Sequence, residues 1–153
     1  MSLFPKFSPQ LNGKVVLLSI KPKYADLILA GSKRVEFRRI WAAQDVSAIV
    51  LYSSFPVRKL VGVVEVADVV VASPSALWVI CRENGGGLTR AELRSYFSEK
   101  SRGVGILLGN VLKLPKYLDP SELIRNFVPP QSFRYLDAAE CVKLEKWVNA
   151  EGR

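Results

Sequence analysis

Histidine is absent from all 153 residues, and cysteine and methionine are scarce, at two and one. Without an imidazole, Ser-His-Asp triads, Cys-His nucleophiles, HExxH zinc sites and Cys/His zinc fingers are all excluded. Cys81 and Cys141 stand far apart in no CxxC spacing, so neither a disulfide framework nor a thiolate metal site is suggested, and a reduced, cytoplasmic home fits best. No run approaches the ~20 apolar residues of a membrane-spanning helix. Met1 to Gly13, which carries Pro5, Lys6 and Pro9, has no continuous apolar stretch of the kind a leader needs. The expectation is a protein neither exported nor embedded in a membrane, with no metal and no cofactor.

What is present is a core-forming composition with an excess of positive charge. A chain 49% hydrophobic and 24% charged fits one globular domain over 1–153, with its core over about 14–136 and a C-terminal helix over 137–150. Lysine and arginine number 22 against 14 acids, a net charge of +8, so an anionic partner is the first question and nucleic acid the first answer. The charge is uneven: Lys14 to Lys59 holds nine basic residues against three acids, whereas Asp137 to Arg153 holds four acids against three bases. A positive surface in the first half follows.

Lys14 to Ile20 is a short β-branched-rich run, too short for a helix, and reads as a central buried strand. Pro22 suits a first helical turn and Gly31 a helix stop, so the spacing predicts a helix over about Pro22 to Ala30. Arg34 to Arg38 alternates charged and apolar residues, placing Val35 and Phe37 toward a core and Arg34, Glu36 and Arg38 on the opposite face. Ala48 to Tyr52 and Leu60 to Ala67 are further strands, with Gly62 marking a bulge or close approach. Ser73-Pro74 opens a helix over Ser75 to Asn84, and Thr89 with Glu92 caps another through Tyr96. Val104 to Leu114 reads as a strand. Asp119, Pro120 and Glu122 start a short helix, and Val128-Pro-Pro130 then breaks the chain into an extended segment. Asp137 with Glu140 caps a terminal helix whose Cys141, Leu144 and Val148 share a face. Strands and helices do not alternate strictly, which disfavours a doubly wound sheet. The expected fold is α+β, a mixed or antiparallel β-barrel of about five to six strands with peripheral helices.

The basic first half suggests a groove that tracks phosphates, with Tyr24, Phe37, Trp41 and Tyr52 available to stack on bases. The plain alternative is a solvated basic face with those aromatics in the core. Lys33 follows a glycine at the mouth of a strand, where an ammonium can meet a phosphate or polarise a carbonyl. Glu36 and Arg38 share a strand face, where they can pair as a structural ion pair or jointly read a base edge. Gly85-Gly-Gly87 lacks the GK[ST] ending of a phosphate-binding loop and reads as a turn.

The run Ser19-Ile-Lys-Pro-Lys-Tyr24, followed by Gly31-Ser-Lys33-Arg-Val-Glu36-Phe-Arg38, resembles the ASCH family, whose hallmark is GxKxxExR after the first strand and helix. Pro56 to Val66, Tyr96-Phe97, the strand from Gly103 to Leu108 and Pro129 to Tyr135 are similar to that family's later elements in order, so the resemblance runs from about Val15 to Leu136. It implies a PUA-like β-barrel with a cleft beside the signature, and a role in RNA metabolism, translation or transcription regulation. On that reading RNA or a nucleotide is the partner, contacted by Lys21, Lys23, Lys33, Glu36, Arg38, Arg39 and Arg58; DNA or a protein partner are the alternatives. The family also contains acetylcytidine amidohydrolases and a reported ribonuclease activity. The enzymatic alternative therefore places Lys33, Glu36 and Glu83 in a catalytic set. Lys33 matches the amidohydrolase lysine and Glu83 its glutamate, but Glu36 stands where that branch has its threonine. The hydroxyl nucleophile is missing there, and a water activated by Glu36 or Glu83 would have to replace it. Ser53 and Ser54 are the nearby hydroxyls.

Overall fold

The structure is a computed structural model that describes residues 14–42 and 45–151. Met1 to Gly13, read above for the lack of a leader, lies outside them. The strands are β1 (Lys14–Ile20), β2 (Val35–Arg38), β3 (Val46–Ser53), β4 (Lys59–Ala72), β5 (Gly103–Leu118) and β6 (Phe133–Tyr135). The helices are α1 (Pro22–Leu29), α2 (Pro74–Glu83), α3 (Arg90–Tyr96) and α4 (Ala138–Glu151), with a 3-10 turn at Pro120–Glu122. The fold is thus α+β, as expected, around one six-stranded sheet.

Sheet order is β2-β5-β4-β3-β1-β6, with β1 and β3 parallel and every other neighbouring pair antiparallel. β2 and β6 are the two ends of that order, yet the side chain of Arg38 on β2 donates to the Ser132 hydroxyl beside β6 (3.4 Å) and to the Ser19 carbonyl on β1 (3.2 Å). Trp41, just beyond β2, packs on Phe133 of β6 with ring centres 5.0 Å apart. The sheet therefore curls until its ends meet through side chains. No backbone ladder joins β2 to β6 among the described residues, so the barrel expected from the sequence is a half-barrel bridged by Arg38.

β1 is buried on both faces, which explains its unbroken apolar run. Val15 and Leu17 join β3, β4 and α4 in one cluster, while Val16, Leu18 and Ile20 join Ala25 and Ile28 of α1 in a second. Each wholly buried aliphatic side chain here contributes about 1.5–3 kcal/mol. A third cluster packs Val35 and Phe37 of β2 against Leu77 and Cys81 of α2 and Leu93 and Phe97 at α3. That cluster fixes α3 beside β2.

Three elements differ from the sequence expectation. β4 and β5 are longer, because they pair with each other to residues 72 and 103 and pass through three register shifts. Pro115 is tolerated inside β5 because it falls between Lys113 and Leu118, where the ladder to β4 is irregular and no amide donor is needed. Gly62 stands at that same irregularity. β6 is a three-residue strand in the segment read as merely extended; its pairing with β1 is long-range and leaves no local pattern.

Candidate nucleic-acid interface

β1 delivers Ser19 and Ile20 to its C-terminal end, where Lys21 and Pro22 turn the chain into α1. Pro22 stands at the first helical position, where its missing N–H costs nothing. Gly31 ends α1 with φ +80°, a conformation that a side chain disfavours, and Ser32 and Lys33 fold back with their amides on the Leu27 carbonyl. Lys33 thereby enters the protein at the mouth of β2. The glycines of the signature and of the 85–87 turn serve this placement: a Cβ at Gly86 would collide with Cys81, and the close approach brings the Gly86 carbonyl to the Lys33 ammonium.

Lys33 is only 2% exposed, Glu36 7% and the Arg38 side chain 13%. The Lys33 ammonium donates to the Gly86 carbonyl, lies 3.4 Å from Glu36 Oε1, and sits 5.3 and 5.7 Å from the ring centres of Tyr24 and Phe37. Glu36 Oε2 accepts from Arg38 Nη2 at 2.7 Å and Nε at 3.1 Å. One carboxylate is bracketed by two cations, so this buried group keeps a net positive charge. Hydrogen bonds, opposite charge and two aromatic faces offset the desolvation of the lysine.

These three residues form the floor of a cleft of about 760 Å³, large enough for a nucleotide. Ser19, Ile20, Lys21 and Tyr24 form one wall, with Ser54 from the β3–β4 turn and Gln131 before β6. Ala91, Glu92, Ser95 and Tyr96 of α3 form the other. The Thr89 hydroxyl accepts from the Glu92 amide at 3.1 Å while Glu92 accepts from the Thr89 amide at 2.8 Å, so the expected capping box fixes the start of that wall. Hydrogen bonding of the Glu92 carboxylate to the Thr89 amide, and then to the Thr89 hydroxyl, holds its pKa below the ordinary carboxylate value. Burial raises the Tyr96 phenol above its usual range, with Arg38 opposing the rise.

The structure brings together Lys21, Lys33, Glu36 and Arg38. Lys23, Arg39 and Arg58 are exposed on neighbouring surface but do not line the cleft. Glu83 stands apart: it is exposed at the end of α2 and does not line the cleft. Two residues beyond the buried Cys81, it falls on the opposite side of the helix. Of the aromatics, Tyr24 and Phe37 line the cleft, but Trp41 packs on Phe133 and Tyr52 is buried against Phe127. Ser54 faces the cleft, whereas Ser53 is buried away from it. The sequence marks the α3 wall only as a capped helix. Its signal is the spacing of Ala91, Glu92, Ser95 and Tyr96 opposite the buried Leu93. Among the described residues no group of three or more Cys, Asp or Glu could hold a metal ion, and no helix is long and apolar enough to cross a membrane.

A profile of the ASCH domain matches residues 18–83, which include every residue of the floor. An ASCH domain-containing ribonuclease of Zymomonas mobilis is 32% identical over 134 residues, spanning 86% of this chain and 90% of that protein. The crystal structure of ASCH from Zymomonas mobilis superposes with a TM-score of 0.79 at 28% identity, covering 86% of this chain and 93% of that one. A serine-to-alanine mutant of the Zymomonas protein gives 0.81 at 27% identity, over 88% and 96%. Similarity of this extent, carried through sequence and fold alike, makes this chain a member of the ASCH domain family.

Proposed function

We propose that this protein binds single-stranded RNA, taking one nucleotide into the cleft over Lys33, Glu36 and Arg38. The observation that carries the reading is the buried charged floor set between aromatic rings. A base can stack beside Tyr24 and Tyr96, and the polar edge of the floor and the Gln131 amide offer donors and acceptors to its rim. Lys21 at the mouth, with Lys23, Arg39 and Arg58 nearby, supplies the exposed positive charge that a phosphate backbone follows. The membership of the family and a relative named as a ribonuclease support RNA over other polyanions.

The test is binding of labelled single-stranded RNA, duplex RNA and duplex DNA across a salt series, with the same samples run on a gel. Tight, salt-sensitive binding of single-stranded RNA, weakened by Arg38→Ala in a variant that still folds, is the expected result. No binding even at low salt, or equal binding by Arg38→Ala, would overturn the reading.

Cleavage of the bound RNA is the second reading, and the Zymomonas relative's name is what favours it. Such a cleavage can run by attack of a 2′-hydroxyl on the adjacent phosphorus, breaking the bond to the 5′-oxygen and leaving a cyclic phosphate. The 2′-proton must pass to a base and the leaving oxygen must gain a proton. Glu92 lines the cleft wall, which Glu83 does not, and one of its carboxylate oxygens accepts from the Thr89 amide, leaving the other to face a ligand. The ammonium of Lys33 and the carboxylate of Glu36 are already engaged with each other and with Gly86 and Arg38, which weakens the amidohydrolase alternative in which Glu36 activates water. RNA fragments that vanish in Glu92→Gln would support cleavage; intact RNA after long incubation would reject it.

A further inference from the structure

Just outside the cleft the β3–β4 turn carries an aromatic ring that the floor does not use. Ser54 lines the cleft, and the next residue, Phe55, is 71% exposed. The Arg58 guanidinium lies over the Phe55 ring, 5.0 Å from its centre. A singly exposed apolar residue is ordinary, but this ring carries a cation over one face and sits on a turn whose position is fixed. The Ser54 amide donates to the Ile20 carbonyl at 2.9 Å, and the amides of Val57 and Arg58 both donate to the Ser54 carbonyl, at 3.0 and 3.4 Å. Arg58 closes the turn with φ +54°, a left-handed conformation that is unfavourable for a residue with a side chain. The turn is thus pinned to the end of β1, the strand that supplies Ser19 and Ile20 to the cleft.

We infer that Phe55 is a stacking platform for the nucleobase next to the one in the cleft, with Arg58 set to meet the phosphate between the two. The inference rests on the RNA reading of the cleft. Adjacent residues are about 3.8 Å apart, so Phe55 lies within reach of a neighbouring nucleotide once Ser54 bounds the first. The cation covers one face of the ring and leaves the other face and the edges to the ligand. A cation beside an exposed ring complements a polyanion with planar bases. It does not complement an apolar peptide. Because every base has a π-face, the platform accepts single-stranded RNA of any sequence at this position, provided the ligand extends beyond one nucleotide.

The experiment measures binding of a labelled single-stranded RNA of about ten nucleotides, a length within common single-strand site sizes, by the full chain carrying Phe55→Ala or Phe55→Trp over a salt series. Phe55→Ala is expected to weaken binding about 5- to 150-fold with the salt slope unchanged, since no charge is lost, and Phe55→Trp to restore it. Equal affinity of Phe55→Ala and the parent protein would overturn the platform and leave the cleft standing. Weaker binding with a smaller salt slope would also overturn it, because Phe55 would then only be shaping the charged cleft. Failure of Phe55→Trp to restore binding would count the same way. If the parent protein bound no RNA at low salt, the platform and the RNA reading would fall together.

Discussion

Lys33 and Lys21 border the same cleft from opposite conditions: the first is 2% exposed and the second stands in solvent. Lys33 belongs to a buried group in which a carboxylate, a carbonyl and two rings surround the ammonium. Its field acts over a few ångströms in a low dielectric and its position is set before any ligand arrives. Lys21, with Lys23, Arg39 and Arg58 on nearby surface, stands in solvent and is screened within about 10 Å at 0.1 M salt. On the proposed reading the floor orients the RNA that enters and the rim attracts it. A basic composition alone does not separate these two tasks.

The largest expected effect comes from breaking the floor. Glu36→Ala removes the carboxylate from between Lys33 and Arg38 and leaves a buried ammonium with only a carbonyl and rings. A loss of about 3–5 kcal/mol in urea unfolding is expected. A loss below about 1 kcal/mol would mean that the three residues do not act as one unit.

An intermediate effect is expected at the α3 wall. Thr89→Ala removes the hydroxyl that accepts from the Glu92 amide and should cost about 1 kcal/mol. Glu92 also sets a pH dependence. Its pKa is lowered in the folded protein, so its contribution is fully present above the ordinary carboxylate value and disappears as pH falls through the lowered one. Denaturation followed from pH 6 downward should therefore show a shallower loss in Glu92→Gln than in the parent protein. Identical acid profiles would remove Glu92 from the account of that wall.

The smallest effect on stability is expected at the rim. Lys21→Ala should leave unfolding within about 0.5 kcal/mol of the parent protein. It should lower the salt slope of single-stranded RNA binding by about 0.7. An unchanged slope would show that Lys21 meets no phosphate, and the division between floor and rim would have to be redrawn.

Local chemistry made much of this readable from the sequence. Pro22 and Gly31 bound α1, Thr89 and Glu92 cap α3, and Asp137 and Glu140 exchange amide-to-carboxylate hydrogen bonds of 2.7 and 3.0 Å at the start of α4. The pairing of Glu36 with Arg38 followed from their shared strand face. Long-range packing was not readable. Period-two alternation put Glu36 on the face opposite the core, but the curl of the sheet and α3 cover that face as well, so Glu36 is buried too. Nothing local to Glu83 tells that α2 lends no residue to the cleft. Nothing local to Phe133–Tyr135 announces a strand paired with β1. Tyr52 looked available for stacking, whereas Phe127, distant in sequence, covers it. Residues whose roles depend on contacts between distant segments are the ones that pattern reading misplaces.

The central claim is that RNA enters over the buried floor, and its most direct test is where RNA touches the protein. Single-stranded RNA carrying 4-thiouridine would be crosslinked by near-ultraviolet light and the adducts mapped by mass spectrometry. The account expects adducts on the peptides holding Tyr24, Tyr96 and Gln131, lost in competition with unlabelled RNA. Competable adducts confined to α4 or to the β4–β5 surface away from the cleft would contradict it.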